Sequence, residues 1–425
     1  MISLITNKTK NLRIHPAWIV FWLIWPLGAF LGSIRNYRTI TAKFVFWLFC
    51  VFIGLTFVVP RNTEEAPDSA RYAAELEILH SMPFSFQSLW DSFYDSSSRN
   101  LDIYKGLVTW IVACFTGDPR WLFALFAAVF GYFYVQNLWM IFDRIEIRNS
   151  LILFLFILGM ALVNPIWNIN GARMYTAAQI FLFGCLLFFL RNEKKGLLWC
   201  ASSILVHFSF MFPVALLLFY IFLPKRTALL FAFYIVASFV KEINLAQIQN
   251  LLYFLPDIFH VKINSYTDVD YALAVAEKEN LPKSIHVVLN TFCTQFFIYF
   301  WVITLYFTRK SWFNISPDGE SLYNFALFFG GWAQIADSIP SMGRFISIDN
   351  NIFFVVLVLI ISKINLSPKL NMLAKLTSPL LIFTIIFSFR IGFGYIGPLT
   401  FIGNPILASF MENSVPLISY IKSIF

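Results

Sequence analysis

Long apolar runs separated by short basic turns recur along almost the whole of this 425-residue chain. A bilayer core of about 30 Å takes roughly 20 apolar residues as a helix. Out of water, the backbone polar groups of such runs are satisfied only in helices or a closed barrel, and the alternation of a barrel strand is missing. With 59% hydrophobic and 13% charged residues, the chain cannot cover a water-facing surface with polar groups. An all-α fold is predicted: a polytopic integral membrane helical bundle of about 11–14 transmembrane helices with re-entrant or interfacial segments.

Candidate spans are 17–33, 43–60, 121–142, 150–164, 173–190, 197–223 (broken at Pro213), 226–241, 286–308, 321–336, 350–362, 378–390 and 395–411. Residues 1–16 carry Lys8, Lys10 and Arg13 before an apolar run, as a signal peptide does. No small-x-small cleavage site follows, so the run is read as a first span. Basic turns recur at Arg35/Arg38/Lys43, Arg144/Arg148, Arg191/Lys194/Lys195, Lys225/Arg226, Arg309/Lys310 and Lys363/Lys369/Lys375, and the positive-inside rule assigns them to the cytoplasm. One polytopic domain, 1–425, then turns two polar stretches outward, 61–120 and 242–284. They hold nine and six of the 23 acidic residues. The net charge of +8 reflects the basic turns, so the partners it implies are membrane lipids and not nucleic acid. Cys50, Cys114, Cys185, Cys200 and Cys293 sit in apolar runs with no ligand or redox spacing and read as small buried hydrophobes.

In the first outward stretch, Pro67-Asp68-Ser69 starts a helix that runs to His80 with Tyr72, Ala73, Leu76 and Leu79 on one face. It is read as an interfacial helix. Residues 106–116 offer too few apolar residues to cross and read as re-entrant or interfacial. No P-loop, dinucleotide fingerprint, H-E-x-x-H or acidic metal-nucleotide motif is present. That disfavours a metal-dependent, nucleotide-using enzyme, and no cofactor and no metal are expected.

The ionisable residues at membrane depth are the candidates for chemistry, because they are expensive there. Arg173 follows the Asn168-x-Asn170-Gly171 turn and opens one apolar helix; His207 lies near the far end of the next. The basic turn Arg191–Lys195 between them places both on the outer side. Asp68 and Tyr72 share a helix face with Arg71 beside them, and Arg344 follows Gly343 before a late span. Arginines at a lipid–water boundary bind phosphate through forked hydrogen bonds, and His207 or Asp68 can act as a general base. The structural alternatives are a helix cap for Asp68, helix packing for His207, snorkelling anchors for Arg344 and Arg390, and a boundary charge pair for Lys241-Glu242.

Taken together, Asp68-x-x-x-Tyr72, Asn170-Gly171-Ala172-Arg173, the V-H-F-S segment around His207, Gly343-Arg344 and Asn404-Pro405 resemble the EpsG-type, Wzy-like polysaccharide polymerases, over roughly residues 45–410. The resemblance implies a bacterial inner-membrane glycosyltransferase with its active site facing the periplasm. Such an enzyme transfers a growing O-antigen or capsule chain from undecaprenyl pyrophosphate to the next lipid-linked oligosaccharide repeat unit, at times beside a chain-length regulator. Carried over, Arg173, Arg344 and Arg71 bind pyrophosphate, His207 or Asp68 is the catalytic base, and Tyr72 positions sugar. A flippase for the same lipid-linked glycan and an O-antigen ligase are the alternatives.

Overall fold

The computed structural model describes residues 14–60, 67–82, 102–145, 150–240, 242, 244–254, 260, 263–264, 267–268, 284–313, 316–363, 368–411 and 415–424. Much of both polar stretches, with Lys8, Lys10, Arg13, Arg148 and Lys241, lies outside the described residues. The first half of the chain forms α1 (Pro16–Ile24), α2 (Pro26–Ile34), α3 (Ile40–Leu55), α4 (Asp68–Ser81), α5 (Ile103–Ala113), α6 (Pro119–Phe142), α7 (Leu151–Val163), α8 (Ala172–Arg191), α9 (Lys195–Val206) and α10 (Met211–Phe222). The second forms α11 (Thr227–Ala237), α12 (Leu245–Leu252), α13 (Ile285–Trp312), α14 (Pro317–Ala336), α15 (Arg344–Lys363) and α16 (Pro368–Gly392), then the short α17 (Leu399–Ile402), α18 (Pro405–Phe410) and α19 (Leu417–Ile424).

This is an all-α membrane bundle. Among the described residues, five stretches are long and apolar enough to cross a bilayer: Pro119–Phe142, Leu151–Arg191, Ile285–Trp312, Arg344–Ser362 and Lys369–Gly392. Shorter apolar helices, α3, α5, α9, α10 and α11, fill in around them. The interior is aromatic and aliphatic throughout, with Phe123, Phe126, Phe130, Phe181, Trp301 and Tyr323 fully enclosed. In α15, 83% of the apolar stretch is buried, against 28% in α13 and in α16. Helix α15 therefore stands at the centre, while α13 and α16 form the outward wall, where large apolar side chains face lipid at no cost.

Prolines mark where these helices begin. Pro26, Pro119, Pro317 and Pro405 stand in first turns, where a missing N–H deprives no carbonyl of a partner. This explains two departures from the sequence reading. The expected single span 17–33 is two helices that meet at Trp25-Pro26. The expected break at Pro213 falls instead at His207, followed by a 3-10 turn at Phe208–Phe210, because Pro213 lies in the first turn of α10. Pro379 does lie inside α16, which nonetheless continues from Pro368 to Gly392. The apolar stretch 395–411 is no span at all: it is α17 and α18, the latter capped by the Asn404 side chain, which accepts a hydrogen bond from Leu407 N at 2.9 Å.

Helices α8 and α9 pack antiparallel at their closest where Gly184 faces Gly196. A Cβ on Gly184 would lie 2.5 Å from the Gly196 carbonyl oxygen and 2.5 Å from the Cys200 sulfur, so only glycine permits the approach. Cys200 meets Cys185 there, sulfur to sulfur at 3.9 Å, a proximity invisible in sequence spacing. Four of the cysteines are buried as expected; Cys114 is exposed. Replacing Gly184 by Leu is expected to force the two helices apart and destabilise the protein by about 1–3 kcal/mol. Thermal unfolding of the purified protein in detergent, scored against Gly184→Ala as the smaller insult, measures this.

Candidate functional site

The site lies where α4, α5, α8 and α9 meet, at the ends remote from the basic turns. Helix α8 rises about 30 Å over its 20 residues but α9 only about 18 Å over its 12. The chain therefore turns at His207 after less rise than a full span needs, and His207, Asp102 and Tyr72 are all buried there.

Asp102 is the hub. It precedes the first turn of α5, yet its carboxylate does not cap that helix. One oxygen accepts a hydrogen bond from Arg173 Nη1 at 2.8 Å; the other accepts from Phe208 N at 2.8 Å and stands 3.7 Å from His207 Nδ1. The last distance is too long for a hydrogen bond, and His207 Nδ1 is buried with no hydrogen-bond partner among the described residues. The Asp102 side chain is 7% exposed and that of Arg173 24%. Arg173 sits in the first turn of α8, the positive end of the helix dipole, which makes a carboxylate partner doubly favourable. Burial alone would push the Asp102 carboxyl up; His207, Arg173 and the Phe208 N–H outweigh it and bring it down to about 2.

Tyr72 forms the floor. Its hydroxyl accepts from Arg173 Nε at 3.2 Å, while Arg173 and Lys105 both stand near its ring, at 5.9 and 5.8 Å from the centroid. Burial pushes the phenol above its usual value against the opposing charge of Arg173, so the group keeps its proton and can itself donate. Lys105, buried, pairs with Glu75 at 2.6 Å. Ser69 Oγ donates to Asn170 Oδ1 at 2.6 Å, which ties α4 to the turn before α8. Gly171 in that turn lets the Asp68 carboxylate and the Tyr175 ring come close.

The structure thus brings Arg173, His207 and Tyr72 together around a fourth residue, Asp102, which the sequence reading missed. Asp68 and Arg71 pair with each other beside this group and are more exposed. Pro67 is the N-cap of α4 and Asp68 its first helical residue. Arg344 is the first residue of α15 and not a loop residue ahead of a span beginning near Asn350, as the sequence reading had it. It forms no ion pair among the described residues. The missed residues Asp102, Lys105 and Glu75 had one sequence signal: an aspartate just before a helix start. No group of three or more candidate metal ligands exists among the described residues. Comparison with protein-family models, curated proteins and solved structures finds no match to this chain.

Removing either member of the buried pair strands the other charge. Asp102→Ala and Arg173→Ala are each expected to destabilise the protein, and the double variant less than the sum, with a coupling of about 0.5–3 kcal/mol. Because the folded value of Asp102 lies below that of the unfolded chain, its contribution is present above about pH 4 and is lost as the pH falls toward about 2. Melting temperatures of the four proteins across pH 2–7 check both expectations.

Proposed function

We propose that this protein polymerises lipid-linked oligosaccharide repeat units, transferring the growing glycan from undecaprenyl pyrophosphate to the next unit on the periplasmic face of a bacterial inner membrane. The observation that supports this reading is the linked set Tyr72–Arg173–Asp102–His207 at helix ends remote from the basic turns. It combines a fixed cation, a hydroxyl that both accepts and donates, and an imidazole beside a carboxylate. O-antigen and capsular or exopolysaccharide products fit the proposal equally.

In the proposed step the acceptor hydroxyl oxygen forms a bond to the anomeric carbon of the donor. The bond from that carbon to the pyrophosphate oxygen breaks, and its electron pair leaves with the pyrophosphate. The acceptor proton passes to His207. The Asp102 carboxylate, 3.7 Å from Nδ1, stabilises the positive charge the imidazole takes on with that proton. Arg173, steadied by Asp102, presents its remaining N–H groups to the developing negative charge, and Arg344 adds a second cation. Tyr72 hydrogen-bonds sugar. Asp68 is the less suited base, since Arg71 already neutralises it. Nothing in the step requires a metal or a cofactor.

In a strain deleted for this protein, Arg173→Ala is expected to leave single repeat units where wild type restores a ladder, a loss of polymer of about 10²–10³-fold. Arg173→Lys, which keeps the charge and loses the fork, should fall between. Gel profiles of surface glycan at matched membrane expression decide this. A full ladder from Arg173→Ala removes the arginine from the reaction, and loss of all surface glycan on deletion makes the protein a flippase or ligase instead.

A further inference from the structure

A partly open cavity of ≈ 230 Å³ is lined by the ends of α7 and α16, the 165–168 segment and the N-terminal halves of α13 and α15. Its apolar walls include Trp167 and Phe387, and its polar lining comes from Asn168, Asn290, Thr294, Ser347, Asn350, Thr384 and Ser388. No Asp, Glu, Lys, Arg or His is among the residues that line it.

Three of the hydroxyls are already committed: Ser347 donates to Arg344 O at 2.6 Å, Thr384 to Leu381 O at 2.8 Å and Ser388 to Leu162 O at 3.3 Å. Asn290 Oδ1 is buried and has no partner among the described residues. What the lining offers is the lone pairs of those hydroxyls and the side-chain amides of Asn290 and Asn350, which carry N–H donors as well as an acceptor oxygen. An occupant that satisfies both kinds of group brings hydroxyls, which donate and accept. It must also be uncharged, because nothing in the lining answers a charge, and it must have apolar faces for Trp167 and Phe387. The volume is below the roughly 300–1,000 Å³ that holds a drug-sized ligand, so one ring fits and a whole repeat unit does not.

We propose that this cavity binds a single uncharged pyranose ring of the lipid-linked glycan, its hydroxyls exchanging hydrogen bonds with the Asn290 and Asn350 amides and donating to Ser347, Thr384 and Ser388 while its C–H face rests on aromatic side chains. The inference rests on the polymerase reading and adds a specificity to it: the ring held here is a neutral sugar, and a uronic acid is refused. Two of the helices that line it, α13 and α16, are the ones least buried in the bundle. Trp167 and Asn168 in its lining belong to the turn that precedes α8 and Arg173 in the chain.

The test uses the full-length protein in nanodiscs with a lipid-linked repeat unit. Asn290→Leu removes the side-chain amide at similar volume, and Ser347→Trp fills the cavity; melting temperatures check that both variants fold. Asn290→Leu is expected to raise KM for the lipid-linked unit about tenfold with kcat within twofold, and Ser347→Trp to abolish turnover. Saturation-transfer NMR with methyl glycosides of the neutral sugars in the wild-type polymer should give a signal that both variants lose and that methyl glucuronide never gives. Unchanged KM together with an unchanged or absent glycoside signal overturns the inference while wild-type polymerisation leaves the polymerase reading standing. A lower KM in Asn290→Leu also overturns it and makes the occupant a prenyl or acyl chain. A wild-type protein that extends no glycan brings down the polymerase reading itself.

Discussion

Arg173 carries a full positive charge in the first turn of a buried helix, where the helix dipole is also positive, and Asp102 is what makes that tolerable. The pair does more than cancel charge. By accepting from Phe208 N as well, the Asp102 carboxylate fixes the bend between α9 and α10, and through Arg173 Nε the network reaches Tyr72 on α4. Four helices and one extended residue are thus referred to a single carboxylate. Desolvating it would be costly in isolation; three donors or positive groups around it turn that cost into a specification of geometry.

The fold class was legible because apolar runs and basic turns are properties of local composition, and a bilayer imposes the same demand on every run. The site was legible only in part, and for one physical reason. Hydropathy finds the apolar middle of a helix and clips its polar first turn. Arg344 and Ser347 belong to the first turn of α15 and Lys105 to that of α5, and each lay outside the expected apolar segment. Asp102 lies one residue ahead of α5, outside any apolar window. Arg173 and His207 were visible because each interrupts an otherwise apolar stretch. That Arg173 has an acid partner 71 residues earlier is a fact of packing, which no local pattern encodes.

Prolines and glycines divide the remaining work. Proline in a first turn states where a helix begins, so that the chain breaks before Pro213 and not at it. Glycine at the α8–α9 contact states how close two helices come, and with it how far His207 stands from Arg173. A sequence reading that treats both residues as generic breakers misplaces the turn by six positions and with it the imidazole.

Helix α9 ends after 12 residues, and that brevity sets how far His207 stands from the basic turn Arg191–Lys195. This height is a fixed property of the protein, while hydrocarbon thickness varies with lipid composition, so with the basic turn held at one headgroup layer a thicker membrane would leave His207 further from the opposite one and a thinner one nearer. Acyl-chain length in the surrounding lipid thereby becomes a dial on how readily water reaches the imidazole.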